Sequence, residues 1–213
     1  MNRFFVVEGT SCSGKTSTIA LLTKKGAEII PENSTLCKDF PPLPTNYEES
    51  RRNERFILEL EKNRCLMAED FGGLSIADRM IISSLSISYA WGFGSIGDFI
   101  DDVISTILNG SLLLPDCTVY LEASVETIQK RNLLRRTLLG NQWVSEQIIN
   151  KQKYFYDVYF KVTETENIKT IATDNKSNIE IADEILSIEC TRRNVTNEMR
   201  AADFIRLKAA LNL

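Results

Sequence analysis

Residues 9–16 read G-T-S-C-S-G-K-T, the pattern G-x-x-x-x-G-K-T, between the apolar run Phe4-Phe5-Val6-Val7 and the helix-like stretch Thr18-Ile19-Ala20-Leu21-Leu22. Glycines at both ends of the loop let the backbone curl with its N–H groups pointing inward, where they act together with the positive end of the following helix. Such a loop leaves a strand and enters a helix, so it fixes an α/β unit and a phosphate cradle at once. In this pattern Lys15 reaches the β- and γ-phosphates of a nucleotide and the Thr16 hydroxyl ligates Mg2+. Gly9, Ser11, Cys12, Ser13, Gly14 and Ser17 complete the expected nucleotide-binding residues. The competing reading is a glycine-rich turn with an exposed lysine.

The rest of the chain repeats the alternation. Short apolar runs at residues 4–7, 27–30, 74–77, 118–121 and 168–172 read as strands. Helical patterns cover 15–25, 47–70, 79–91, 96–109, 124–139, 145–162 and 177–188. Strand–helix alternation predicts a five-stranded parallel sheet with helices on both faces, a three-layer α/β/α architecture. Ligands in such folds bind at the carboxyl ends of the strands. A length of 213 residues suits one domain, read as residues 1–190 with a lid around 131–145. Residues 31–44, with Phe40-Pro41-Pro42-Leu43-Pro44, read as an irregular loop over the top of the sheet. In the tail, 191–213, Met199, Phe204, Ile205, Leu207 and Leu211 fall at partly helical spacing. That tail is either a packed terminal helix of the same domain or a contact in a homodimer.

Composition narrows the chemistry. A net charge of -4 gives no broad basic field, which argues against polymeric nucleic acid as a partner. The five cysteines include no C-x-x-C pair, so neither a disulfide framework nor a structural zinc site is indicated. No apolar run is long enough for a membrane span, and residues 1–8 lead directly into the first strand. These features predict a cytoplasmic protein without membrane contact. The chain contains no histidine, so a general base has to be a carboxylate, lysine, tyrosine or thiol.

Candidate chemistry sits after the strands. Asp78-Arg79 follows the third strand: the carboxylate can hold Mg2+ or orient the attacking oxygen, and the arginine offers a forked cation for phosphate oxygens. A simple helix cap is the alternative for Asp78. Glu32, directly after the second strand, is a candidate base for a substrate hydroxyl or a loop-capping residue. In the helix over 47–70, Arg64 falls near the centre of an apolar stripe formed by Phe56, Ile57, Leu60, Met67, Ala68 and Phe71. A guanidinium there faces an acceptor in a cleft, pairs internally with Glu32 or Asp78, or snorkels out. The basic run 130–136 places Arg131 and Arg135 on one helix face before Gly140. It reads as a lid closing over ATP or as a solvated face. Candidate contacts to the acceptor ring are Phe40, Tyr47, Phe71, Tyr89 and Trp91.

The order of these elements resembles the thymidylate kinase and deoxynucleoside kinase family of P-loop phosphotransferases. Residues 5–16 resemble its opening strand and loop, Asn63-Arg64 its asparagine-arginine pair, and residues 77–84 its aspartate-arginine-tyrosine segment. Residues 115–122 resemble the next strand, and Arg131, Arg135 and Arg136 the lid. The sequence departs from the family at Met80 and at Pro31-Glu32, where the usual glutamate-proline order is reversed. The resemblance implies ATP and Mg2+ on Lys15, Thr16 and Asp78, an acceptor held by Arg64 and Arg79, and a phosphoryl group clamped by Arg131 and Arg135. A nucleoside monophosphate is the first expected acceptor, a nucleoside or other small hydroxyl compound the second. A non-catalytic ATP-binding switch is the alternative of another class. Against a guanine-nucleotide switch, residues 174–177 (D-N-K-S) are no N-K-x-D motif and Asp78 opens no D-x-x-G.

Overall fold

Phe4, Phe5, Val6 and Val7 are all buried, so β1 (Arg3–Glu8) is covered on both faces, as a central strand of a parallel sheet must be. The computed structural model describes residues 3–71, 73–135, 138–190 and 194–213. Beyond β1, the sheet contains β2 (Glu28–Ile30), β3 (Leu74–Asp78), β4 (Cys117–Glu122) and β5 (Asn167–Ala172), in the order β2-β3-β1-β4-β5. All four pairings are parallel; Val7 lies opposite Asp78 on one side of β1, and Glu8 opposite Tyr120 on the other.

Alternation along β1 divides the core. Phe5 and Val7 join Ile19 and Leu22 of α1 (Lys15–Lys24) and Ile181 and Ile185 of α9 (Asn178–Leu186). Phe4 and Val6 face the larger layer. It is built from α3 (Tyr47–Asp70), α4 (Ile81–Trp91), α5 (Ile96–Leu108), α8 (Glu146–Val162) and α10 (Asn197–Ala210). The expected three layers are therefore present.

The helix boundaries differ from expectation in three places, each for a local reason. A helical turn, α2 (Asn33–Leu36), interrupts the stretch 31–44 that was expected to be irregular. Helix α4 starts at Ile81 rather than at residue 79, because Arg79 has φ 60° and cannot belong to a right-handed helix. Helix α6 (Val125–Leu133) ends before residue 139. The Asn132 amide accepts from the Leu139 N–H at 2.9 Å and donates to its carbonyl at 3.3 Å, so Leu139 returns to the end of α6 instead of extending it. Between Leu139 and α8 lies the short α7 (Asn141–Val144).

The terminal helix α10 packs on α5 and α8. Phe204 and Leu207 are fully buried, whereas Met199 and Ile205 face outward. Asp203 accepts from the backbone N–H groups of Glu164 (3.0 Å) and Thr165 (3.2 Å), tying α10 to the turn before β5. Among the described residues, no helix is long and apolar enough to cross a membrane.

Candidate active site

The loop from β1 to α1 has the backbone that its glycines require. Gly9 has φ 143°, and a Cβ there would lie 2.6 Å from the Leu121 carbonyl oxygen, leaving room for glycine only. Gly14, at φ 106°, precedes α1 and caps it with no side-chain hydrogen bond. Thr18 N–H donates to the Gly14 carbonyl at 3.1 Å, so the N–H groups of Lys15, Thr16 and Ser17 precede the first helical bond and remain available to an anion. Cys12 takes the left-handed conformation at φ 59°.

Lys15 is buried, and its Nζ donates to the carbonyls of Gly9 (2.8 Å) and Thr10 (2.6 Å) and to Ser13 Oγ (3.3 Å). Burial, aided by the Arg79 charge, pulls its pKa down to about 7, while Asp78, Glu8 and Glu32 oppose the shift. The amine thus sits inside the loop, desolvated and poised for an anionic partner.

Asp78 ends β3. Its Oδ1 is buried with no hydrogen-bond partner, and burial raises its pKa against the pull of Lys15. Thr16 lines a cavity over the phosphate loop, as does Arg79, the residue after Asp78. One hydroxyl and one unpartnered carboxylate oxygen suit Mg2+, a hard cation that keeps most of its shell as water and phosphate oxygen.

Two cavities meet over this loop. The first, about 400 Å3, is lined by Ser11, Cys12, Gly14, Lys15, Thr16 and Ser17, with Arg131, Arg135 and Asn178 across from them. The second, about 540 Å3, runs between α3, α4 and the proline-rich loop, past Asn33, Phe40, Pro41, Pro42, Leu43, Glu61, Arg64, Met80 and Trp143. Ser11, Glu32, Arg79 and Leu139 line both. A group passing from one cavity to the other crosses these four residues.

Arg79 is held at that junction from several sides. Its N–H donates to the Val7 carbonyl at 3.1 Å, its guanidinium donates to Ser83 Oγ at 2.9 Å, and its Nε lies 3.4 Å from Glu32 Oε2. Non-glycine residues at positive φ are costly and persist where the surroundings enforce them. Here the enforcing group is Glu8, fully buried at the end of β1. It accepts from the Met80 N–H (2.9 Å), Ser83 Oγ (2.6 Å) and the Tyr156 hydroxyl (2.9 Å). Glu8 was not expected as a supporting residue; its position just before Gly9 was the available signal. Glu32 in turn accepts from Ser34 Oγ at 2.6 Å.

Arg64 is buried, as its place in the apolar stripe implied, but its partner is neither Glu32 nor the Asp78 carboxylate. It pairs with Glu61, one turn earlier on α3, at 2.9 and 3.0 Å, and donates to the carbonyls of Asp78 (2.9 Å) and Arg79 (2.6 Å). Asn33 donates to the same Glu61 carboxylate at 2.7 Å. Burial raises the Glu61 pKa, and Arg64 counters it most strongly. This ion pair underlies the second cavity and braces the backbone that presents Arg79.

Arg131 and Arg135, the described arginines of the expected lid, differ in their surroundings. Arg131 donates to the carbonyls of Cys12 (3.3 Å) and Ser13 (3.0 Å) and to Thr173, bracing the phosphate loop from outside. Arg135 lines the first cavity. Arg136 lies outside the described residues. Of the ring candidates, Phe40 lines the second cavity. Tyr89, expected as a substrate contact, is not among the residues lining either cavity; its ring packs on Tyr154 (6.1 Å) and Phe155 (5.7 Å) between α4 and α8. Tyr47 donates to Asp98 at 2.6 Å, Phe71 packs on the apolar core, and Trp91 lies behind Trp143 at 5.0 Å. Trp143 was not expected here; no local pattern shows that α7 folds back over the acceptor side.

No family model and no curated protein matches the sequence. Solved structures do. Deoxyadenosine kinase from M. mycoides, with dCMP and a flexible dCDP bound, superposes with a TM-score of 0.63 at 18% identity over 86% of this chain and 96% of that one. Thymidylate kinase from Candida albicans gives a TM-score of 0.64 at 16% identity over 87% and 89%. The M. mycoides enzyme with dCTP bound gives 0.57 at 20% identity over 87% and 100%. The chain therefore has the fold shared by these nucleoside and nucleotide kinases.

Proposed function

We propose that this protein transfers the γ-phosphoryl group of Mg-ATP to a nucleoside monophosphate, or to a nucleoside of the same class. The observation that carries the reading is the junction of the two cavities, where Arg79 and Glu32 stand between the phosphate loop and an acceptor cleft. The N–H groups at the start of α1 and Lys15 would receive the phosphates of ATP, and Thr16 and Asp78 would hold Mg2+, which would supply charge neutralisation at the phosphate oxygens. Arg135 faces the phosphates from the lid side, and Arg131 keeps the loop in shape. In-line transfer then rests on positioning and charge stabilisation.

For a monophosphate acceptor, Arg79 is the phosphate ligand: its 3.4 Å contact with Glu32 is long and readily exchanged for a phosphate oxygen. The nucleoside reading is favoured by a different observation. Arg64 is neutralised by Glu61, so among the described residues the acceptor cleft has no second guanidinium free for a phosphate, and Glu32 on its wall is the candidate base for a hydroxyl proton. The non-catalytic switch gains no support from an ATP-side cavity that opens into an acceptor cleft.

An ADP-release screen over nucleosides, nucleoside monophosphates and unrelated alcohols, with Lys15→Ala as control, tests the proposal. Turnover is expected with at least one nucleoside or monophosphate and is lost in Lys15→Ala. Tight ATP binding without turnover of any acceptor overturns it. Glu32→Gln separates the two acceptors: it abolishes transfer to a hydroxyl and leaves transfer to a phosphate within about tenfold.

A further inference from the structure

The second cavity has a neighbour. A compartment of about 100 Å3 lies beyond it, bounded by Pro44, Ile57, Ser88 and Phe93, with Ser50 and Glu54 at its polar side. Both cavities are lined by Phe40, Pro41, Pro42, Leu43, Ser84, Ile87 and Trp143, so these residues form the partition between them. The charged group at that side is already matched: Glu54 accepts from Ser50 (3.1 Å), Ser95 (2.5 Å) and Arg51 (2.8 Å), and Asn53 donates to the Pro42 carbonyl at 2.8 Å. Ser84 and Ser88 add two hydroxyl-bearing residues to walls that are otherwise mostly apolar. At roughly 30 Å3 per water, the space suits a group of about three or four non-hydrogen atoms.

Trp143 differs from the other partition residues in origin. Phe40 and Pro42 belong to the proline-rich loop and Ile87 to α4, whereas Trp143 comes from the segment that follows the lid arginines. It is held firmly. The Trp143 N–H donates to the Gly140 carbonyl at 2.9 Å, and the neighbouring Val144 is buried against Ala123, Ile128 and Ile149. The indole itself leans on Trp91, 5.0 Å away, which in turn lies 6.0 Å from Phe93. A large, flat, braced side chain between an acceptor cleft and a small apolar space is a size limit.

We propose that Trp143 is the specificity-determining residue of the acceptor site: it offers its face to the acceptor's flat ring and closes the apolar compartment to substituents on that ring. The inference rests on the kinase reading above and goes beyond it by assigning the size limit to one residue. Trp143 lines the second cavity and not the first, so its removal acts on the acceptor and spares ATP.

The test compares wild type, Trp143→Ala and Trp143→Phe. The probes are the unsubstituted acceptor that wild type turns over best and the same compound with a two- or three-carbon apolar substituent on its ring. Trp143→Ala is expected to raise the substituted-to-parent ratio of kcat/KM about tenfold or more, with the ATP KM within about twofold of wild type. Trp143→Phe keeps the parent acceptor and moves the ratio by less than about threefold. Adding Ile57→Trp to Trp143→Ala refills the compartment and reverses the gain. A binding readout is available because the chain has two tryptophans: in Trp91→Phe, the acceptor quenches the remaining indole without ATP. An unchanged ratio in folded Trp143→Ala, or no quench by a compound that is turned over, overturns the inference and leaves the kinase reading intact. Wild type that binds ATP but turns over no acceptor overturns both.

Discussion

Glu61 and Arg64 illustrate how one buried charge can shape a site without touching the chemistry. Both side chains are 1% exposed, and the guanidinium's remaining bonds go to the carbonyls of Asp78 and Arg79. Glu61→Ala therefore leaves an unpaired cation in the core. Breaking such a pair is expected to cost about 3–5 kcal/mol, measured by urea denaturation, and to release Arg79 from its strained backbone. The double change Glu61→Leu with Arg64→Met removes both charges and is expected to recover most of the lost stability. Recovery of stability without recovery of turnover would assign the pair to site geometry rather than to folding. The position of Arg64 in an apolar stripe was legible in the sequence, because helical periodicity is local. Its partner was not, although Glu61 lies at i−3: the choice among Glu32, Asp78 and Glu61 depends on how α3 docks against the end of β3. Lys15, Thr16 and Gly9 were legible for the opposite reason, since their pattern encodes its own backbone.

At the scale of elements, Glu166 joins three of them. Just before β5, it accepts from Thr118 Oγ1 of β4 and from the Tyr159 hydroxyl of α8, each at 2.7 Å. Burial raises its pKa from 4.5 to about 6 against the opposing effect of these two bonds. Below pH 4.5 the folded and unfolded chains both hold this proton, and above pH 6 neither does. Between the two, only the folded chain holds it, so its contribution to stability falls as pH rises through that window, by about 2 kcal/mol. Comparing urea midpoints of wild type and Glu166→Gln from pH 4 to 7 isolates the effect. Wild type is expected to lose stability relative to the variant across that window, and parallel curves would refute the assignment. Such a junction lies beyond sequence reading because Thr118 and Glu166 are far apart in the chain. The elements themselves were accessible. All five strands were placed within a residue or two, since each is a short apolar run between polar turns. The errors fell where side chains overrule periodicity, as when the Asn132 amide ends α6 or the left-handed Arg79 delays α4.

Across the whole molecule, the supports of the site form a chain that ends at the far terminus. Arg79 is positioned through Ser83 by Glu8, Glu8 by the Tyr156 hydroxyl, and Tyr156 rides on α8, against which α10 packs. The sequence left the tail open between a packed helix and a contact between copies, because its spacing is only partly helical. The structure buries Phe204 and Leu207 fully and Leu211 almost so. Burial of each such side chain stabilises by roughly 1.5–3 kcal/mol, so together they approach the whole margin of a typical domain. Ending the chain at residue 196 uncovers α5 and α8 and is expected to cost the cooperative fold: a broadened urea transition, increased dye binding to exposed apolar surface, and loss of the near-ultraviolet signal of packed tyrosines. Phe204→Ala is the milder form, expected to cost about 3–5 kcal/mol while keeping one transition. If the shortened chain instead unfolds cooperatively near the wild-type midpoint, α10 is an appendage, and the support of Arg79 stops at α8.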